Sequence, residues 1–287
     1  MRRHRWWVAG LAVVAMAVAP SAWGGTDPSE TTHQDFDRDN FANPTAISNK
    51  WTPLVPGTKY VLAGTVEEGG DRIHHRVVTI VTDLVKVIDG VASVVVWEQD
   101  ISDGTPVETE LRFHAQDNEG NVWNLGEYPE EFEDGQFVGA DSTWIPGVDG
   151  AKAGLLMRGD PQVATSAYLQ GIAPAIDFRD KAQVLDAHEQ TCVPTGCYDN
   201  VLIIDEWNPL EQPQDGHQLK YHAPRVGVVR VQAVGGEAQE NLGLVNVERL
   251  GAKALANVRE EALRLDRRAY RFARPVYKDT PPAAPAS

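Results

Sequence analysis

Hydrophobic and polar residues alternate with a period of about two along much of the chain between Trp51 and Leu250, which is typical of half-buried β-strands. Runs such as "TKYVLAGTV", "VASVVVWEQDI" and "VGVVRVQAV" are rich in β-branched residues, and short Gly-containing turn signals separate many of these runs. The pattern predicts a mainly β fold, in which an antiparallel meander forms a curved sheet or an incomplete barrel.

Two segments depart from this pattern. Residues at about 129–174 are rich in Gly, Pro and acidic side chains and show neither period, which predicts an insertion over one end of the sheet. Near the C terminus the apolar spacing changes to threes and fours, which predicts a helix over 251–273 that packs on the sheet. Its apolar stripe consists of Leu255, Val258, Ala262, Leu265, Ala269 and Phe272. The Pro-rich residues 274–287 are expected to form a disordered tail.

The first 24 residues have the pattern of a secretory signal peptide. Three arginines precede the apolar run "WWVAGLAVVAMAVA", and small residues follow it near Gly24, where we expect cleavage. The run is too short to span a bilayer comfortably. The sequence therefore predicts a periplasmic or extracellular protein, with an acidic flexible lead-in at 25–40 before a β-rich domain at 41–250.

The charge of the chain limits the classes of partner. Without the three arginines of residues 1–24, 23 basic residues (26 − 3) face 41 acidic ones, a net charge of −18. Such a charge argues against nucleic acid and anionic lipid surfaces as partners and is compatible with cationic ones. No later run of the mature chain is long or apolar enough to predict a membrane span.

The two cysteines, Cys192 and Cys197, flank the turn-forming sequence Val-Pro-Thr-Gly. In an exported protein, this spacing predicts a disulfide that closes a hairpin. A redox pair would usually be separated by two residues, and a zinc site would need two further ligands.

A calcium site is the first candidate for chemistry. Asp35, Asp37 and Asp39 alternate like the first ligands of a calcium loop, but Asn40 stands at the glycine position and Ala46 at the glutamate position. A solvated acidic segment is therefore the preferred interpretation, with weak calcium binding as the alternative. The histidine pairs at 74/75 and 217/222 are expected to point to opposite faces of their strands, which disfavours a metal site on either pair.

A ligand site is the second candidate. Trp123, Glu127, Trp144 and Trp207 are predicted ligand-binding residues, because tryptophans provide stacking surfaces and the neighbouring acids could act as a carboxylate pair in glycoside hydrolysis. Tryptophans of this kind more often belong to a core or its rim. Motifs for a serine nucleophile, a phosphate loop and a dinucleotide site are absent from the sequence.

Four phrases occur together in this chain: "FANPTAISNKWTPLVPGTKYVLAGTV", "AQDNEGNVWNLGEY", "CYDNVLIIDEWNPLE" and "KYHAPRVGVVRV". In this combination the chain resembles a widespread group of exported bacterial proteins of uncharacterised function, over about residues 41–250. The resemblance implies an antiparallel β fold of the curved-sheet or barrel kind, and no catalytic residues. The chain departs from the pattern at His222, which replaces a tyrosine, and at Arg225, which replaces a glycine. That turn is therefore expected to lack a residue that readily adopts positive φ.

These observations favour an exported, non-enzymatic binding protein for an unidentified small ligand or protein. The alternatives are a hydrolase with paired carboxylates and a structural or interaction module.

Overall fold

The computed structural model describes residues 33–211 and 215–286. Within these residues the chain forms fifteen strands, two α-helices and two short 3-10 turns. The predicted signal peptide and the first part of the predicted lead-in lie outside the described residues.

The strands are β1 (Thr58–Glu68), β2 (Asp71–Ile88), β3 (Val91–Ser102), β4 (Thr105–Gln116), β5 (Val122–Glu133), β6 (Gln136–Gly139), β7 (Lys152–Met157), β8 (Tyr168–Leu169), β9 (Gly171–Ile172), β10 (Lys181–Val193), β11 (Gly196–Trp207), β12 (His217–Ala223), β13 (Gly227–Val234), β14 (Gln239–Arg249) and β15 (Ala284–Pro285). The helices are α1 (Ala252–Phe272) and α2 (Arg274–Tyr277), and the 3-10 turns span Arg38–Asn40 and Pro174–Ile176.

Thirteen strands form a nearly closed, barrel-shaped antiparallel sheet in the order β8-β10-β11-β12-β13-β14-β1-β2-β3-β4-β5-β7-β9. The two ends of this path, β8 and β9, are joined in sequence by the single residue Gln170, so one unsealed seam lies where the barrel closes. The predicted curved sheet or incomplete barrel is confirmed. The segment predicted as an insertion supplies β6 to β9, so it contributes to the barrel wall instead of only covering an end.

Long strands joined by tight turns explain most of the wall. Asp89-Gly90 connects β2 to β3 and Asp103-Gly104 connects β3 to β4, and all four residues have positive φ, as such two-residue turns require. The predicted disulfide joins Cys192 to Cys197, which face each other at the β10–β11 turn.

Helix α1 packs on the outer face of the sheet. Ala262, Leu265 and Ala269 are buried in the same cluster as Leu111 and Phe113 of β4. This helix matches the predicted one, because the apolar stripe and the exposed arginines already define which side is buried. None of the helices in the described residues has both the length and the apolar character needed to cross a membrane.

The C-terminal residues are ordered, contrary to the predicted tail. α2 follows α1 at once, Tyr277 is fully buried, and β15 pairs with β2. The backbone N–H of Ala283 donates to the Asp266 carboxylate at 3.0 Å. Disorder was predicted because the segment is rich in proline and shows no apolar period. In the structure, the buried ion pair of Lys86 and Asp266 holds the segment against the sheet.

The described part of the predicted lead-in also contacts the sheet. The ring of Phe36 lies 5.2 Å from that of Trp123, and the Arg38 guanidinium pairs with Asp89. The segment around residues 48–51 contacts two strands: Gln116 at the end of β4 accepts from the N–H groups of Ser48 and Asn49, and His222 of β12 donates to the carbonyl of Trp51.

The β12–β13 turn contains a residue with positive φ, although the glycine expected to adopt this conformation is replaced by Arg225. Arg225 itself adopts the left-handed conformation, with φ of +64°, and its N–H donates to the carbonyl of Lys50 at 2.6 Å. This conformation is unfavourable for a residue with a Cβ, since the left-handed region costs an L-residue roughly 1–2 kcal/mol.

Arg225→Gly should therefore raise the free energy of unfolding by roughly 0.5–1 kcal/mol, because glycine adopts positive φ without that cost. Urea unfolding followed by tryptophan fluorescence measures the change. As a control, Arg230→Gly within β13 should lower stability, since glycine is unfavourable in a strand. An Arg225→Gly protein less stable than the wild type would contradict this account.

Candidate functional site in the barrel interior

The strand register places a band of charged side chains on one face of the sheet. Glu98 of β3 lies opposite Glu110 of β4, and Asp100 lies opposite Glu108. Arg112 of β4 lies opposite Glu127 of β5. Residues directly opposite each other in an antiparallel pair point to the same face, and so do residues two apart on one strand. α1 packs on the other face, so these side chains point into the barrel.

The opposite wall of the barrel contributes a second charged group. Glu206 of β11 lies opposite Gln218 of β12, and Lys220 stands two residues further on the same face. The Lys220 ammonium lies 2.6 Å from one Glu206 oxygen, and Gln170 donates to the other at 2.9 Å. Gln170, at the seam, therefore contributes directly to the interior.

Charged groups on the two walls influence each other's pKa. Burial disfavours the charged form of Arg112, yet Glu110, Glu98, Glu127 and, from the far wall, Glu206 raise the pKa of this guanidinium. Burial likewise opposes the charge of Lys220, while Glu206 and the distant Glu98 raise its pKa. β13, β14, β1, β2 and β3 separate β12 from β4 along the sheet, so these interactions run through the lumen.

Acidic groups outnumber basic ones in this lumen. Burial, followed by neighbouring carboxylates, raises the pKa of Asp100 and Glu108 well above the ordinary value for a carboxyl. Burial raises the pKa of Asp180 to about 7, with Glu127 and Glu206 adding to the shift. Burial also raises the pKa of Glu240 to about 7. The lumen is thus short of positive charge.

Solvent nevertheless reaches the charged band. The side chains of Arg112 and Lys220 are 23% and 24% exposed to solvent, and that of Asp100 is 31% exposed. Inward-facing residues further along the same strands are apolar and buried, such as Val96 on β3 and Leu202 on β11. The barrel therefore has one apolar, filled end and one charged end that remains open to solvent.

Buried inward-facing side chains with an unpaired polar atom include Tyr168, in the row of Glu206, Arg112 at its Nε, and His222, which stands opposite Leu202 towards the apolar end. Tyr168 shares the inner face with Ala182 and Glu206, is 2% exposed, and its hydroxyl is unpaired. His222 is 5% exposed, and its Nδ1 lies 3.0 Å from the carbonyl oxygen of Trp51. A carbonyl only accepts, so Nδ1 carries the proton and Nε2 presents an unpaired lone pair to the lumen. Burial lowers the pKa of His222 to about 4, which keeps the ring neutral.

The structure separates the four predicted ligand-binding residues. Glu127 faces the lumen, and Trp144 stands next to it, with its indole N–H 3.0 Å from a Glu127 oxygen. Trp123 lies on the outer face and donates to Asp117. Trp207 stacks on His217, away from the charged band. Ligand binding by these residues stays a prediction.

The three N-terminal aspartates do not converge. Asp37 accepts a hydrogen bond from the N–H of Asp39 and so begins a 3-10 turn, whereas the side chain of Asp35 points into solvent. In residues 33–211 and 215–286, no three His, Cys, Asp or Glu side chains are grouped closely enough to hold a metal ion. Calcium binding stays a prediction.

Sequence reasoning missed most of the charged band, although a signal for it is present. Acidic residues occupy alternate positions in β3 and β4, at 98/100 and 108/110, within runs otherwise typical of buried strands. Because alternate residues share a face, this spacing places two rows of carboxyls side by side once the strands pair. Such a row in a strand with two buried faces predicts a polar lumen.

The raised pKa values predict an unusual dependence of stability on pH. At pH above about 4 the unfolded chain has released the carboxyl protons that the folded lumen still holds, so stability falls as pH rises through the folded pKa values. Burial lowers the pKa of His222 to about 4 and that of His114 to about 3. These two groups make stability rise with pH, but only below about pH 6.5, where the histidines of the unfolded chain take up protons.

We therefore expect the melting temperature to fall between pH 6.5 and pH 8, where the acids dominate. Each proton contributes a slope of at most about 1.4 kcal/mol per pH unit. The double variant Asp180→Asn/Glu240→Gln should show a flatter profile, because these two groups have pKa values of about 7. A melting temperature that rises over this interval in the wild type would show that the lumen acids are ionised at all these pH values.

No protein-family model matches the chain, and no curated protein matches it. Among solved structures, the chain is similar to a candidate exported protein with a YmcC-like fold from Bacteroides fragilis, with 14% identity and a TM-score of 0.37. The match covers 70% of this chain and 99% of that one. A candidate lipoprotein from Parabacteroides distasonis has 13% identity and a TM-score of 0.33, over 70% and 99% of the two chains.

A third similar structure is a β-barrel-like protein from Brucella abortus that carries a domain of unknown function, DUF1849. It has 13% identity and a TM-score of 0.33, and the match covers 69% of this chain and 99% of that one. Likeness at this level defines neither a ligand nor a reaction.

Proposed function

We propose that this chain is an exported, non-enzymatic binding protein whose ligand site is the charged, solvent-reached end of the barrel lumen. The observation that carries the proposal is the buried, unpaired hydroxyl of Tyr168, in the row of Glu206, whose carboxylate pairs with Lys220. Leaving a buried polar group unpaired costs about 1–3 kcal/mol, and a ligand that pairs it recovers this cost. A purely structural module would gain by filling the lumen with apolar side chains.

Export is supported by the pattern of residues 1–24 and by the disulfide. The Cys192–Cys197 bond is of the kind that persists in oxidising compartments such as the periplasm or the medium. We propose that cleavage near Gly24 releases the mature protein.

A hydrolase is the second candidate, and one observation favours it. Asp180 has a pKa of about 7, while Lys220 and Gln170 lower the pKa of nearby Glu206 in spite of its burial. Two carboxyls whose pKa values are shifted apart are typical of an acid and a nucleophile in glycoside hydrolysis. However, Lys220 and Gln170 already occupy both oxygens of Glu206, which leaves it poorly disposed to attack.

Thermal melts with a panel of small molecules test the binding proposal. The panel contains organic cations, amino acids, neutral sugars, carboxylic acids and metal salts, because a ligand that binds only the folded state raises the melting temperature. We expect at least one compound to raise it in the wild type and to lose this effect in a Tyr168→Phe/Glu127→Gln variant. If none stabilises the wild type, the lumen is not a ligand site.

The same samples distinguish the hydrolase. Wild-type protein and an Asp180→Asn variant are incubated with aryl glycosides, and the released phenol is measured. Turnover that Asp180→Asn abolishes would replace the binding proposal with the hydrolase. We expect no release above that of a heat-denatured control.

A further inference from the structure

We propose that the ligand of the lumen is an organic cation with one or more ammonium groups, held between Glu127 on one wall and Tyr168 and Glu206 on the other. This inference rests on the proposed function, because it names the chemical class of the ligand for the same site.

The first argument is the charge of the lumen. The inward-facing acids near the charged end include Glu98, Asp100, Glu108, Glu110, Glu127, Glu131, Glu206 and Glu240, and Arg112 and Lys220 face the lumen among them. Both cations are already paired, Arg112 with Glu98 at 3.2 Å and Lys220 with Glu206 at 2.6 Å. Additional positive charge is therefore favoured in the lumen, while an anion would be repelled.

The second argument is independent of charge and comes from hydrogen bonding. His222 Nε2 can only accept a hydrogen bond, since Nδ1 carries the proton and donates to the backbone carbonyl of Trp51. The Tyr168 hydroxyl can accept as well as donate, and it is also unpaired. The Tyr168 hydroxyl and His222 Nε2 can thus each be paired by an N–H or O–H donor, whereas the unpaired Nε of Arg112 is a donor that already faces a Glu110 oxygen at 3.6 Å. An ammonium group supplies three donors, with no acceptor, together with a positive charge.

The third argument concerns size. A bare metal ion needs several oxygen or nitrogen ligands within about 2.0–2.6 Å of one point. Across the described residues, no set of three His, Cys, Asp or Glu side chains meets this requirement. The charged groups stand on two walls, on β4 and β5 on one side and on β11 and β12 on the other. An organic cation with two ammonium groups presents a separate charge to each wall.

Isothermal titration with 1,4-diaminobutane in 150 mM NaCl tests this inference, because this salt screens weak attraction to the acidic outer surface. The neutral analogue of the same length, 1,4-butanediol, and calcium chloride serve as comparison ligands. We expect saturable binding of the diamine, and no binding of the diol or of calcium in the same concentration range.

Two lumen variants and one control localise the binding. Glu127→Gln removes a carboxylate charge and still accepts from the indole of Trp144, so the diamine affinity should fall by about tenfold while the fold is kept. Tyr168→Phe removes an unpaired buried hydroxyl, so it should leave the melting temperature unchanged or higher and weaken diamine binding several-fold. Glu67→Gln makes the same charge change on an exposed residue and should leave the affinity unchanged.

The outcomes separate this inference from the proposed function. Equal binding of the diol, or binding of calcium instead of the diamine, would overturn the inference of an organic cation. The proposed binding function would still stand in that case if Tyr168→Phe weakens the observed binding. Diamine binding that neither lumen variant alters takes place elsewhere and overturns the inference. If neither the diamine nor any compound of the wider panel binds, both the inference and the proposed function fail.

Discussion

Lys86→Met is expected to lower the free energy of unfolding by about 3–5 kcal/mol, because it leaves the buried Asp266 carboxylate without its counter-charge. The Lys86 ammonium is fully enclosed and donates to Asp266 at 2.9 Å, to the Tyr270 hydroxyl at 3.0 Å and to the Pro281 carbonyl at 2.7 Å. All three of its protons are thereby paired. Asp266 also accepts from the Tyr277 hydroxyl at 2.9 Å.

This network connects the barrel to the C-terminal segment, so its loss should release that segment first. Urea unfolding measures the change in stability, and hydrogen exchange of the amides at 274–286 reports the release. We expect both to change in Lys86→Met and in Asp266→Asn, with the double variant less destabilised than the sum of the two because they share one interaction.

Lys59→Met is the matched control for this prediction. Lys59 pairs with Glu248 at 3.0 Å on the surface, where an ion pair contributes roughly 0–1 kcal/mol. A Lys86 variant that loses no more stability than the Lys59 variant would mean that the buried pair is not what holds the C-terminal segment.

Gly154→Ala is expected to destabilise the protein by roughly 2–4 kcal/mol through overpacking at the seam. A Cβ at Gly154 would lie 2.4 Å from the carbonyl carbon of Gln170 and 2.5 Å from the nitrogen of Gly171. These are backbone atoms of the link between β8 and β9, which cannot turn away as a side chain can. The link between β8 and β9 would have to shift, and we expect this shift to weaken the hydrogen bond that Gln170 donates to Glu206.

The variant should therefore bind 1,4-diaminobutane more weakly as well as lose stability, which thermal melts with and without the diamine can measure together. Gly139→Ala is the control, because the nearest atom to its Cβ would be the flexible carboxylate of Asp141 at 3.4 Å. That change should be neutral or slightly stabilising, since alanine is preferred to glycine in a strand. A Gly154→Ala protein as stable as this control would show that β7 does not pack tightly against the seam.

The alternation of apolar and polar positions by itself determined the β-rich architecture, the hairpins and the C-terminal helix. These features depend on residues close together in the chain, such as the Asp-Gly pairs that favour tight turns and the apolar stripe from Leu255 to Phe272. The spacing of Cys192 and Cys197 determined the disulfide for the same reason.

Only the tertiary structure decided which acids form the site and whether the C-terminal residues are ordered. Glu127 and Glu206 lie 79 positions apart in sequence (206 − 127), and they share one lumen because the barrel closes on itself. The partner of Asp266 is Lys86, on a strand far away in the chain. Electrostatic interactions depend on distance in space and on burial, and neither is encoded in local spacing. The period of the sequence therefore predicted the wall of the barrel, and the folded chain alone established the chemistry inside it.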